Sequence, residues 1–108
     1  MTYAQIAEMA EESSLPVAYH HFAEGDSPDP PFLIFLIPNE ESFFADNRQY
    51  IRMAELDFEL YTDKKDPELE SRIESILQSH DINYDKSETW IETEKMYEVI
   101  YEMEVLYE

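Results

Sequence analysis

The sequence has no cysteine and a single glycine in 108 residues. Without cysteine there is no disulfide, no thiolate nucleophile and no cysteine-held zinc. One glycine excludes most phosphate-cradling and dinucleotide-binding loops, which need several for tight turning and close backbone approach. No nucleophile elbow of the acyl-hydrolase kind is present. Long apolar runs are missing as well. The longest spans residues 32–37, is bounded by Pro31 and Pro38, and falls far short of the ~20 residues that a membrane helix needs. The first residues, Met1-Thr2-Tyr3-Ala4-Gln5, show no basic stretch leading into an apolar one. No secretory signal is therefore expected, and the chain reads as cytosolic.

Positive charge is scarce. Seven lysines and arginines face 26 aspartates and glutamates, for a net charge of −19. Residues 1–54 hold nine acids against two bases, and residues 55–108 hold seventeen against five. Binding to DNA requires cationic side chains that displace counterions, so direct nucleic-acid binding is not expected. Anionic membranes are disfavoured for the same reason. The partners that remain are basic protein surfaces, cations, or a ring whose inner wall must not adhere to DNA. High charge also keeps a small domain soluble with no further role. Apolar residues make up 44% and aromatics 14% of the chain, enough for one domain with one core.

Hydrophobic periodicity gives the elements. Tyr3, Ile6, Ala7 and Ala10 fall on one helical stripe, and Thr2 with Gln5 forms a capping box, so residues 2–12 are predicted helical. Residues 17–22 suggest a short strand, and residues 23–31 a proline-rich loop. The run at residues 32–37 suggests a central strand covered on both faces. Residues 38–49 read as a second loop, polar except for Phe43-Phe44-Ala45. Over residues 50–62, Ala54, Leu56, Phe58 and Leu60 alternate with Glu55, Asp57 and Glu59, as in a half-buried strand. Asp66-Pro67 marks the start of a helix whose apolar face is Leu69, Ile73, Ile76 and Leu77. Residues 89–93 and 95–107 are two further strands, the second with apolar residues at every odd position from Tyr97 to Tyr107. The order α-β-β-β-α-β-β predicts an α+β domain: a meander forming a mainly antiparallel sheet of four to five strands, with both helices on one face.

Few residues carry chemistry. His20-His21 on a strand would point to opposite faces, and His80 is distant in sequence, so no shared metal site is expected. Carboxylates two apart, such as Glu102 and Glu104 or Glu55, Asp57 and Glu59, lie on one sheet face, where a solvated surface is the expected role. A buried carboxylate pair in a pocket would instead support a small acid–base enzyme. Phe43 and Phe44 stand together in a polar segment; one can anchor it, leaving the other for an intermolecular contact. Lys64 and Lys65, beside Tyr61, place two of the seven basic residues in one turn, to pair locally or with a neighbouring subunit.

The segments Phe43-Phe44-Ala45-Asp46-Asn47, Glu59-Leu60-Tyr61-Thr62-Asp63-Lys64-Lys65-Asp66, Glu88-Thr89-Trp90-Ile91-Glu92-Thr93-Glu94 and Met96-Tyr97-Glu98-Val99-Ile100-Tyr101-Glu102 resemble the prophage pi2 protein 38-like group. These are small morphogenesis proteins of tailed phages and prophages of Gram-positive bacteria, related here to siphophage tail-completion (tail-terminator) proteins. The likeness runs from about Val17 to the C-terminus and rests on structural, not catalytic, motifs. It implies a non-enzymatic virion assembly protein, without cofactor, that forms a homo-oligomeric ring, a hexamer by that likeness. Its neighbours would be the tail tube and the head connector. Its place would be the host cytoplasm during assembly and then the head–tail junction. Phe43, Phe44, Tyr61, Lys64 and Lys65 are the expected contacts with a neighbour. The rival expectation is a monomeric or dimeric acidic DNA mimic that inhibits a nucleic-acid-binding host protein.

Overall fold

A computed structural model describes residues 1–45 and 49–108. Its elements are α1 (Tyr3–Glu11), β1 (Val17–Tyr19), β2 (Phe32–Ala45), β3 (Gln49–Thr62), α2 (Pro67–Ser79), β4 (Asp85–Ile91) and β5 (Met96–Leu106). The expected α+β order is the one observed.

Both helices start where their caps dictate. At α1, the Gln5 backbone N–H donates to the Thr2 hydroxyl at 3.1 Å, and the Thr2 N–H donates to the Gln5 side chain at 2.8 Å. At α2, the Leu69 N–H donates to the Asp66 carboxylate at 3.1 Å, with proline at the first turn. α1 buries Ile6, Met9 and Ala10, and α2 buries Leu69, Ile73 and Leu77. These six enter one core with Leu33 and Phe35 of β2, Ala54 to Leu60 of β3 at even positions, and Val99 to Val105 of β5 at odd positions. Sharing that single core places both helices on one face of the sheet, leaving the other face open. Each fully buried Leu or Ile contributes about 1.5–3 kcal/mol. The helices are also joined directly: His80 meets Glu12 at 2.7 Å, and the Arg72 guanidinium donates to the Ser13 carbonyl.

The sheet order is β1-β2-β3-β5-β4. β2–β3, β3–β5 and β4–β5 are antiparallel. β1 pairs β2 in parallel, so the first connection is a crossover and not the hairpin of a meander. A parallel return needs about a dozen residues, which the proline-rich segment 20–31 supplies. On the open side, Phe22 packs edge-on against Phe32 with ring centroids 5.3 Å apart. Phe32 to Phe35 are buried, as a strand covered on both faces requires, but β3 and not β2 lies at the centre.

Three boundaries differ from expectation. First, the predicted loop at residues 38–49 is mostly strand: β2 runs on to Ala45 and β3 begins at Gln49. Pro38 sits in a one-residue bulge between Leu36 and Asn39, where a missing N–H is tolerated. The strand signal was lost because both faces of this stretch are solvated. Second, β4 begins at Asp85 rather than Thr89. As the terminal strand it buries neither face, so its residues lack alternation. Third, β1 stops at Tyr19, and His20 takes a positive φ of 67°. The two histidines then turn toward each other instead of to opposite faces, with their Nδ1 atoms 2.9 Å apart.

Candidate interaction surfaces

The β2–β3 hairpin forms an arm. β1 pairs only with Leu33 to Phe35 of β2, and β5 pairs with β3 only from Met53 onward. Residues 42–45 and 49–52 therefore extend as a two-stranded ribbon beyond the helix-backed sheet, and the molecule measures 51 × 29 × 23 Å. Two-stranded ribbons are marginal in water without something to pack on. This one carries exposed apolar side chains: Phe43 at 52%, Phe44 at 76% and Ile51 at 53% exposure. Phe43 is opposite Ile51 in register, so the two share a face. Because β3 alternates and buries Ala54, Leu56 and Phe58, that shared face is the open one. Asp46 and Asn47 of the motif that carries the family resemblance lie outside the described residues.

The open face is otherwise acidic. Glu55 is paired in register with Glu104, and Asp57 with Glu102, which is in turn opposite Asp85. Like charges directly opposite each other are destabilising. Burial, then the nearby Glu102 and Glu55 carboxylates, hold the Asp57 carboxyl above its ordinary range. Burial likewise raises Glu59, with Glu98 and Asp57 adding to the effect and the Tyr61 hydroxyl opposing it. Tyr61 closes this face at its far end. Its hydroxyl sits between Glu59 at 3.0 Å and Glu98 at 2.5 Å, and its ring stacks on Phe32 with centroids 5.0 Å apart. Burial and these carboxylates push the phenol far above its usual value.

The two lysines of the turn have different surroundings. Lys65 joins a network on the helix side of the sheet, donating to Glu70 at 2.9 Å and to Glu88 at 2.5 Å. Lys86 completes it, bridging Glu70 and Glu74 at 2.8 Å each. Tyr101 donates to Glu74 at 2.8 Å from the core below. Burial of Glu70 favours its neutral form, but the two ammonium groups more than reverse this and hold the carboxyl below its ordinary range. Lys64 is exposed. Nothing in the sequence pattern marked Glu70 as buried; only its i+1 position beside Leu69, over the β4–β5 edge, does so.

The five expected contact residues thus fall at two ends of one sheet. Phe43 and Phe44 occupy the arm, while Tyr61, Lys64 and Lys65 lie at the opposite end of β3. Ten residues separate Ile51 from Tyr61, about 33 Å along a strand. Ile51, and Leu106 at 59% exposure, are surface apolar residues that the sequence analysis does not single out; each breaks the alternation of its strand by placing an apolar side chain on the acidic face. Among the described residues no group of three or more histidine and carboxylate side chains is arranged to hold a metal ion. No helix there is long and apolar enough to cross a membrane. No protein-family model matches the chain, and no curated protein sequence is significantly similar to it.

Proposed function

We propose that this chain is a structural subunit that works by assembling with copies of itself and with neighbouring proteins. Its most concrete form is a tail terminator or other head–tail joining component of a tailed phage, arranged as a ring. The observation that carries the reading is the hairpin arm, which holds Phe43, Phe44 and Ile51 in solvent. Closed rings of one chain need two different patches per subunit. An apolar arm at one end of the sheet and an exposed lysine with an acidic surround at the other supply two such patches. Light scattering at low and high salt tests it. A ring-sized mass is expected, strengthening with salt as repulsion between −19 subunits is screened. The double variant Phe43→Ser/Phe44→Ser and the single variant Lys64→Glu should both lower that mass while keeping the melting temperature. A wild-type chain that stays monomeric at every salt concentration, alone and with tail-tube protein, overturns the reading.

The acidic open face favours a second reading, a mimic of polyanions directed at a basic nucleic-acid-binding protein. That reading expects a one-to-one complex with a basic protein that weakens steeply with salt, and no ring.

A further inference from the structure

Beside the base of the arm lies a groove of about 840 Å³. It exists because β4 starts late: Asp85 pairs with Glu102, and the last part of β5 has no strand beyond it. The loop that follows α2 stands across from the gap and contributes Ile82 and Tyr84. Met53 and Leu106, paired in register on the open face, contribute apolar surface on the sheet side. The strip continues out along the arm through Ile51 and Phe43. Leu106 is 59% exposed.

The banks of this groove are negative. Glu55, Asp57, Glu102, Glu104 and Asp85 all line it. Among the described residues, no lysine or arginine forms an ion pair with any of these five. The lysines in reach of the sheet are instead committed to Glu70, Glu74 and Glu88 on its other side. A fold that sets carboxylates in opposite register with no lysine or arginine beside them, around an exposed leucine and a half-buried methionine, keeps a costly arrangement that a cationic, apolar partner would relieve.

We infer that this groove is the docking site for a peptide segment of another protein in which lysine or arginine alternates with apolar residues. The apolar side chains lie on Met53, Leu106 and Ile82, and the cationic ones reach the carboxylate banks. The inference does not depend on ring formation. It also differs from polyanion mimicry, which needs the charge but not the apolar floor.

The test is a titration of the whole chain with a ten-residue peptide of alternating lysine and leucine, followed by amide chemical shifts and calorimetry. An all-lysine peptide and an alternating aspartate–leucine peptide serve as controls. Saturable one-to-one binding is expected, with shifts confined to residues 53–57, 80–85 and 102–108. The all-lysine peptide should bind about tenfold more weakly or worse, and the acidic peptide not at all. Glu102→Gln/Glu104→Gln should lose about tenfold in affinity while melting at a higher temperature than the wild type, because it relieves repulsion. A merely structural role for these acids would not give that combination. Leu106→Ser, at an exposed position, should fold normally and also bind about tenfold more weakly. Equal binding of the all-lysine peptide, shifts spread over the acids of α1 and α2, or full affinity in Leu106→Ser would each overturn the inference.

Discussion

Asp57 and Glu70 are two carboxylates of one small domain that the fold pushes in opposite directions. Asp57 is crowded by burial and by Glu102 and Glu55, so its folded-state pKa lies above its ordinary value. Glu59 behaves alike. The native chain then binds protons more tightly than the unfolded chain, and stability grows as pH falls from neutrality toward the ordinary carboxylate range. Glu70 and Glu74 are held below their ordinary values by Lys65, Lys86 and Tyr101, which outweigh the burial that opposes them. Their contribution is complete above the unfolded-state value and is lost as pH falls through the folded-state value. Melting temperature should therefore rise on mild acidification from pH 7 and collapse at lower pH. The variant Asp57→Asn should melt higher at pH 7, by about 0.5 kcal/mol of stability, and show a smaller rise. Thermal melts from pH 3 to 8 check both; a monotonic fall from pH 7 downward in the wild type would contradict the account.

Each element was readable to the extent that it has a buried side. The caps at Thr2 and Asp66 fixed the helix starts, because their partners are local and need no tertiary context. Asp66→Ala should cost about 1 kcal/mol, measured by urea denaturation, since it removes the bond to the Leu69 N–H. Alternation over residues 54–60 and 97–107 identified β3 and β5, which each bury one face. The same logic explains the omissions. β4 and the outer half of β2 bury neither face, so their polar residues look like loop. The parallel pairing of β1 was invisible because three residues carry no directional signal. Of the candidate interaction surface, the aromatic pair Phe43-Phe44 was legible as apolar residues in a polar context. Its partner Ile51 and the groove around Leu106 were not, since they depend on register and on where a neighbouring strand begins.

As a whole, the molecule sorts its charge by face. The few cations are used on the helix side, where Lys65 and Lys86 neutralise Glu70, Glu74 and Glu88. Among the described residues, Glu55, Asp57, Asp85, Glu102 and Glu104 on the open side form no ion pair with a lysine or arginine, so part of the repulsion within a net charge of −19 is concentrated there. Added salt should therefore raise the melting temperature rather than lower it, by screening repulsion more than it weakens the sheltered network. Calorimetry between 20 mM and 500 mM sodium chloride would show this, and a decrease with salt would mean that the lysine network dominates.

The bulge at Pro38 acts on β2 as an inserted base acts on a reading frame. Before it, even-numbered residues of β2 share the open face with Asp57 and Glu59; after it, odd-numbered ones share that face with Glu55, Met53 and Ile51. Closing the bulge with every residue kept would slide the outer half of β2 by one position and turn Phe43 to the helix side and Phe44 to the open side. An aromatic ring would still be presented beside Ile51. Two adjacent phenylalanines thus make the character of the arm indifferent to the frame in which the strand is read.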